Sequence, residues 1–272
     1  MSQTNSHHDL SDVSLSLAVV LYNNEVGTVV KLIKNLLSST RSFNNVALFL
    51  VNNSPENVDL QNFLQDQSLH NEHIVLLTSE TNSGFGAGNN LVLPFLDSDY
   101  HFVVNPDIVV PDESQIANMI VYLQAHPQVG LLSPLIKFPD GTIQHLLKKE
   151  STVFDMALRF TGLPIFKKRQ RSFINLPDGY KKIHRADNVP GSFMVFRSSV
   201  FKSVKGFDEK YFLYMEDCDI TRSVNTISNV TFYPDAFVYH EWQRGNRKSL
   251  KGIMTMLKSM RIYFNKWGWK LF

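Results

Sequence analysis

Cysteine is all but missing: Cys218 is the one thiol in 272 residues. That excludes a disulfide framework and a Cys-rich zinc site, and it is the usage expected in a reducing compartment. Long apolar runs are missing too, and no stretch approaches the roughly 18 residues that span a bilayer. The opening MSQTNSHHDLSD lacks the basic start and apolar stretch of a secretory leader, so the expected location is cytoplasmic. Positive charge is scarce in one half only. Residues 1–136 carry 3 Lys or Arg against 13 Asp or Glu, residues 137–272 carry 24 against 12, and the net charge is +2. Such a split suggests that the second half meets something anionic. With 43% hydrophobic and 12% aromatic residues the chain can bury a sizeable core, which excludes global disorder.

What is present reads as alternating strands and helices. Leu15–Tyr22, Val46–Val51, His73–Thr78 and Tyr100–Val104 are short apolar runs, the pattern of strands buried on both faces. Three of them close on polar turns, at Asn23-Asn24, Asn52-Asn53-Ser54-Pro55 and Asn105-Pro106-Asp107. Apolar spacing predicts helices over Glu25–Ser39, Asn89–Leu96 and Glu113–Ala125. Strands and helices alternating about every 25–30 residues predict an α/β fold with a mostly parallel central sheet flanked by helices. Ligands of such sheets bind at the carboxyl ends of the strands, where the polar turns lie.

After about residue 130 the rhythm changes. Pro134, Pro139-Asp140-Gly141 and Pro164 interrupt it, and Lys167–Arg171 (KKRQR) reads as a basic loop. Ser192–Phe196 reads as a strand, and a helix is expected to start near Glu216. From Leu250, apolar residues at Ile253, Leu257, Met260, Phe264 and Trp267 form a helical stripe ending at Gly268. The expected organisation is a polar tail over 1–12, a single domain over 13–249 divided near residue 130, and an amphipathic helix over 250–272.

Four motifs could carry chemistry, each with a plain alternative. Gly84, Gly86 and Gly88 in TNSGFGAGNN let backbone N–H groups approach a phosphate, or simply form a tight strand-to-helix turn. Asp107 after Asn105-Pro106 could hold a divalent cation, or close an Asx-Pro turn. Glu216, Asp217 and Asp219 crowd three carboxylates into four residues at a helix start. Crowding of that kind gives a carboxylate the proton affinity of a general base, whereas helix capping would need no function. Arg222, one turn on, is expected to hold that cluster. His240 at a strand end is a ligand or a structural histidine. Cys218 has no paired His at recognisable spacing, and no G-x-S-x-G is present.

In their joint order and spacing these pieces resemble the glycosyltransferase family 2 enzymes of the GT-A fold, particularly the bacterial rhamnosyltransferase-like branch that builds O-antigen and capsule polysaccharides. The resemblance runs through Tyr22-Asn23, Val51-Asn52-Asn53-Ser54, Asn82 to Asn90, Asn105-Pro106-Asp107, Pro190 to Met194, Gly206-Phe207-Asp208-Glu209, Phe212 to Asp219, and His240. It implies an inverting transfer of a sugar from a nucleotide-diphospho-sugar, dTDP-rhamnose before UDP-hexoses, to a glycan acceptor that is typically linked to a lipid diphosphate. By this resemblance 13–130 is the donor half and 131–249 the acceptor half. Tyr22, Asn23, Asn52 and Asn53 would receive the nucleoside, and Gly84, Gly86 and Asn89 would pack beside the nucleotide and sugar. Asn105 and Asp107 would stand for the Asp-x-Asp element, with Asp107 and His240 near a Mg or Mn ion. Gly191, Ser192 and Asp208 would line the acceptor side, and Asp217, paired with Glu216, would be the catalytic base. Two departures stand out: Asn105 replaces the first carboxylate of Asp-x-Asp, and Asn52 stands where many relatives carry Asp.

Rival classes are a non-catalytic nucleotide-sugar or polysaccharide binding module and a nucleic-acid binder prompted by Lys167–Arg171 and Arg244–Lys251. The intact Glu216-Asp217 pair argues against the first. The acidic first half and the lack of a nucleic-acid-binding signature argue against the second. The helix from Leu250 mixes Lys and Arg with Trp, Tyr and Phe, which suits either an anionic membrane surface at the inner face of the cell membrane or packing on the core.

Overall fold

A computed structural model describes residues 10–161, 165–241 and 249–272. Most of the polar tail, Pro164, and the greater part of Arg244–Lys251 lie outside the described residues. In chain order the elements are β1 (Ser14–Leu21), α1 (Val26–Ser39), β2 (Asn45–Asn52), α2 (Val58–His70), β3 (Ile74–Thr78), α3 (Phe85–Asn90), β4 (Tyr100–Val104), β5 (Ile108–Val109) and α4 (Glu113–Ala125). Then follow β6 (Val129–Lys137), α5 (Val153–Thr161), α6 (Lys167–Phe173), β7 (His184–Arg185), β8 (Phe193–Arg197), α7 (Ser198–Ser203), α8 (Glu216–Asn225), β9 (Asn229–His240) and α9 (Leu250–Trp267).

The strands form one sheet in the order β3-β2-β1-β4-β8-β6-β9-β5, with β7 on β9. From β3 to β4 every pairing is parallel, as is β6 with β9. β8 runs antiparallel to β4 and β6, and β5 and β7 run antiparallel to β9. The expected parallel sheet is thus realised in the first half, and the second half is mixed. The reversal of β8 matters for the site. Its amino end lies at the carboxyl end of β4, so Asn105 N–H donates to the Ser192 carbonyl at 2.9 Å.

Side chains on successive strand residues point to opposite faces, and both faces are covered. Leu15, Leu17, Val19 and Leu21 of β1 join Leu48 and Leu50 of β2, Phe102 of β4 and Phe193 of β8 in one core under α1, α2 and α4. Ala18, Phe49, Val103, Met194 and Phe196, one position out of phase, face the second core with Phe201, Ile220 and Val224. Each large apolar side chain so buried contributes about 1.5–3 kcal/mol. A third cluster joins Tyr211, Met215 and Cys218 to Tyr263 and Phe264 of α9.

Two expected segments differ. The helix expected over Asn89–Leu96 is α3 followed by a 3-10 turn at Leu93–Phe95. Pro94 lacks the N–H that would continue the ladder. The expected loop at Lys167–Arg171 is helical, because Arg169 is drawn onto Asp155 of α5 at 2.6 Å and Phe173 is buried. Among the described residues no helix is long and apolar enough to cross a membrane.

Candidate active site

The carboxyl ends of β1, β2 and β4 open into a common edge. Tyr22 is half exposed there, and Asn23, in the left-handed region at φ 53°, donates its N–H to Ser54 Oγ at 3.0 Å. Asn52 and Asn53 are buried and committed to the protein. Asn52 Oδ1 accepts from Ser54 N–H at 2.9 Å while its Nδ2 donates to Gln61 at 2.7 Å. Asn53 Nδ2 donates to the Gly84 carbonyl at 2.9 Å. These two asparagines build the turn and anchor the glycine loop rather than exposing their amides.

The glycine loop meets the acidic motif directly. Gly84 has φ 87°, and a Cβ on it would stand 2.1 Å from the Phe212 carbonyl oxygen, so glycine is obligatory on both counts. Phe85 N–H donates to that same carbonyl at 3.2 Å. A Cβ on Gly86 would press on Phe207 at 2.9 Å, and Asn89 is buried with its Nδ2 donating to the Phe85 carbonyl. Asn90 ties the loop to the Gly206–Glu209 segment, donating to the Phe207 carbonyl at 2.8 Å and accepting from Phe207 N–H at 2.8 Å. Gly191 completes the junction: a Cβ there would lie 3.3 Å from Asp217 Cβ and 3.5 Å from the Phe85 ring. Segments near residues 84, 191 and 212–217 therefore converge on one spot.

Asp217 occupies that spot at the first turn of α8. Two consecutive left-handed residues, Tyr214 and Met215, precede it, and such strain gathers where a turn must present a side chain. Asp217 Oδ1 accepts from Cys218 N–H at 2.8 Å, and Lys148 Nζ stands 3.6 Å from Oδ2. Its neighbour Glu216 is buried, and its Oε2 meets no hydrogen-bond donor among the described residues. Burial pushes the Glu216 carboxyl well above its usual range, and the Asp217 charge adds to this, against smaller opposing effects of the Glu216 backbone N–H and Lys148. Burial, with Asp217 adding, likewise pushes the Cys218 thiol far up, consistent with an inert, packed cysteine.

Asp219 points away from Asp217 and is held from α9. Its Oδ1 accepts from Trp267 Nε1 at 2.7 Å and from the Tyr211 hydroxyl at 3.2 Å, and Lys266 Nζ lies 2.8 Å from Oδ2. Arg222, expected to hold this cluster, pairs instead with Glu150 at 2.8 Å and stacks on Trp267. One turn along a helix puts two residues on one face, but Asp219 is already saturated by donors from α9. Asp208 is drawn the same way, with Lys266 Nζ at 3.0 Å. Burial alone would raise its carboxyl; hydrogen bonds from Lys266 and the Lys210 backbone, with both ammonium charges, hold it below the usual range.

A second cluster forms where β5 pairs with β9, which sets His240 opposite Ile108. Asp107 Oδ1 lies 3.2 Å from His240 Nε2. Gln144 Nε2 donates to the His240 carbonyl at 2.6 Å, so its Oε1, 3.0 Å from His240 Nδ1, must accept from an Nδ1–H. His240 Nε2 then faces the carboxylate either with a second proton or with a lone pair. In the latter case two acceptors confront each other and a cation between them resolves the conflict. One carboxylate oxygen and one imidazole nitrogen are a donor set that Mn, and less readily Mg, accepts, with waters or ligand oxygens completing the shell. Among the described residues no group of three His, Cys, Asp or Glu side chains gathers at a point. Ser192 Oγ is buried without a hydrogen-bond partner among the described residues, beside Asn105.

Lys148, Gln144 and Lys266 were not evident from the sequence. Lys148 and Gln144 lie in an irregular stretch after β6 with no motif around them, and Lys266 was one cation of a stripe.

This sheet, parallel in its first half and interrupted by an antiparallel β8, with its polar turns gathered at one edge, defines the GT-A class of fold. Solved structures agree. GalNAc-T7 with UDP, GalNAc and Mn2+ superposes with a TM-score of 0.67 at 14% identity, over 93% of this chain and 48% of that one. The mannosyltransferase PcManGT from Pyrobaculum calidifontis, with GDP-Man and Mn2+, gives 0.61 at 12% identity, over 86% and 61%. Residues 16–203 match the family model described as Glycosyl transferase family 2. The chain belongs to that family. It is 26% identical over 182 residues to the N-acetylglucosaminyl-diphospho-decaprenol L-rhamnosyltransferase of Mycobacterium tuberculosis, covering 62% of this chain and 59% of that relative. Rhamnosyltransferase WbbL of Escherichia coli is 27% identical over 206 residues, covering 67% and 73%. The chain thus spans about three-fifths of the length of the mycobacterial relative.

Proposed function

We propose that this protein transfers a sugar, with inversion, from a nucleotide-diphospho-sugar to a glycan acceptor in cell-surface polysaccharide synthesis. The observation that carries the reading is the convergence of the Gly84 loop, Gly191 and Asp217, which packs two backbone segments closely around one partly exposed carboxylate. A sugar hydroxyl is a poor nucleophile, and Asp217 takes its proton as it attacks the anomeric carbon. Glu216, kept protonated by burial, adds no second negative charge beside the base, and Lys148 balances the one that is there. Attack from the face opposite the leaving diphosphate inverts the centre, so one base suffices.

Asp107 and His240 would hold a divalent cation, which when bound supplies charge stabilisation to the departing diphosphate. Gln144 fixes the His240 tautomer that leaves Nε2 free to ligate. Tyr22 and Asn23 are the exposed groups for the nucleoside, with Asn52 and Asn53 shaping their turn. Gly84, Gly86 and Asn89 hold the loop beside the sugar, Asn105 stands with Asp107 on the donor side, and Gly191, Ser192 and Asp208 border the acceptor side. The rhamnosyltransferase relatives favour a deoxyhexose donor, dTDP-rhamnose before UDP-hexoses. The diphospho-decaprenol in the name of one relative favours an acceptor on a lipid diphosphate, met by a cytoplasmic protein at the inner face of the membrane. A purely binding role would leave Asp217 dispensable. With donor, acceptor and Mn2+ supplied, Asp217→Asn should lower turnover by about 10²–10⁴-fold while keeping the melting temperature. Near-normal turnover of the folded variant would remove Asp217 from the role.

A further inference from the structure

Outside the site, the structure gathers cations and exposed aromatics at one place. Residues 156–177 contain five Lys or Arg and no Asp or Glu, and residues 242–272 contain eight and none. Far apart in sequence, the last residues of the second stretch pack on Val153 and Phe154 at the start of α5, just ahead of the first. Val153 N–H donates to the Lys270 carbonyl and Phe154 N–H to the Leu271 carbonyl. The Phe154 ring lies 5.3 Å from Phe166 and 5.2 Å from Phe272. Phe166 is 58% exposed, Phe272 72% and Leu271 61%, and Lys167, Lys168 and Lys270 stand exposed among them. The acidic groups nearby are already neutralised: Asp155 by Arg169, and Glu150 by Arg222 and Lys270.

We propose that Phe166–Lys168 at the start of α6 together with residues 269–272 forms a docking surface for an anionic lipid bilayer, with Phe166, Leu271 and Phe272 entering the interface. A protein partner of matching acidity would find cations here, but it would not need aromatics standing proud of the surface. A bilayer interface rewards both at once: rings settle at headgroup depth while lysines meet anionic headgroups. Nucleic acid would want rings flat against bases in a groove, whereas Phe154 meets Phe166 edge-on at 77° and Phe272 at a tilt of 42°. The surface also lies close to the candidate base. Lys148 contacts Asp217, and Glu150, two residues on, contacts Lys270. The purpose of such docking rests on the lipid-linked acceptor proposed above; the docking itself does not.

The test is co-sedimentation of the full chain with vesicles of phosphatidylcholine alone and of phosphatidylcholine with phosphatidylglycerol, with donor hydrolysis measured separately in solution. Binding is expected to the anionic vesicles and to fall steeply as salt rises from about 50 mM to about 500 mM. The double variant Phe166→Ser/Phe272→Ser should bind at least about tenfold more weakly, and Lys167→Gln/Lys168→Gln should lose most of the preference for anionic lipid. Both should hydrolyse donor like the parent. Leu250→Ser/Met254→Ser, on the exposed start of α9, should bind like the parent. Parent protein that ignores anionic vesicles at low salt, an aromatic variant that binds undiminished, or a loss confined to the Leu250/Met254 variant would each overturn the proposal. Missing hydrolysis with intact vesicle binding would overturn the enzymatic reading alone.

Discussion

Glu216 and Asp217 are neighbours in sequence with opposite surroundings. Glu216 is sealed under the α8 turn, whereas Asp217 keeps about a fifth of its side chain open and has an ammonium at 3.6 Å. Because burial raises the Glu216 carboxyl in the folded state, the fold favours its protonated form. Its stabilising share is then complete below the ordinary value of 4.5 and is lost as pH climbs through the raised one. Glu216→Gln, neutral at every pH, should therefore gain in melting temperature over the parent as pH rises from about 5 to about 8, by a few degrees. A constant gap across that range would contradict the assignment. At the other cluster, Gln144→Leu removes the acceptor that orients His240 and should weaken Mn2+ binding about 10–100-fold, read by titration of the free ion. At this scale the sequence was legible where chemistry is local. Asp107, His240, Asp217 and the obligatory Gly84 are all visible from their motifs. Lys148 and Gln144 were not, since only the tertiary path after β6 brings them in.

The element that decides how α8 sits is α9. Asp219 is 2% exposed, and three donors reach it, two of them from Lys266 and Trp267. A buried carboxylate stripped of a charged donor loses about 1.5–3 kcal/mol. Lys266→Met should cost about that in stability by denaturant titration, and it should also lower turnover, because α8 carries Asp217. Loss of stability with unchanged turnover would show that α8 needs no such anchoring. The start of α9 was readable from its apolar stripe; the helix expected over 250–272 stops at Trp267, where Gly268 turns at φ 94°, and which of its cations faced inward was not readable. Amphipathic spacing reports a face and not the partner it meets, which is also why Arg222 was expected on Asp219 and is found on Glu150. The α6 helix was missed for a related reason: its basic run reads as solvated until Asp155 and Phe173 show what holds it.

For the whole molecule, the decisive feature is β8. Its antiparallel course between β4 and β6 returns Pro190–Ser192 to the edge where β1, β2 and β4 end. Nothing in a five-residue apolar strand announces its direction, so the parallel half of the sheet was legible and the mixed half was not. Removing residues 250–272 is not a neutral trim at this scale. It uncovers Tyr211, Met215 and Cys218 and discards Tyr263 and Phe264, both nearly fully buried. Two such rings contribute about 3–6 kcal/mol, and at about 2–4 °C per kcal/mol the melting temperature should fall by about 6–24 °C. A smaller change by calorimetry would mean that α9 is a passive appendage.

The clamp on Asp219 also has a history in time. Lys266 and Trp267 follow it by 47 and 48 residues, so a growing polypeptide exposes the helix that bears Asp217 well before its fastener has been synthesised. Until then Asp219 is a charge beside a half-built apolar cluster, and that helix has nothing from α9 to seat against. The proposed competence for transfer would arrive abruptly, with the last helix and not with the sheet. A ribosome stalled short of Lys266 would carry a domain that already shows its parallel strands and still cannot hold its candidate base.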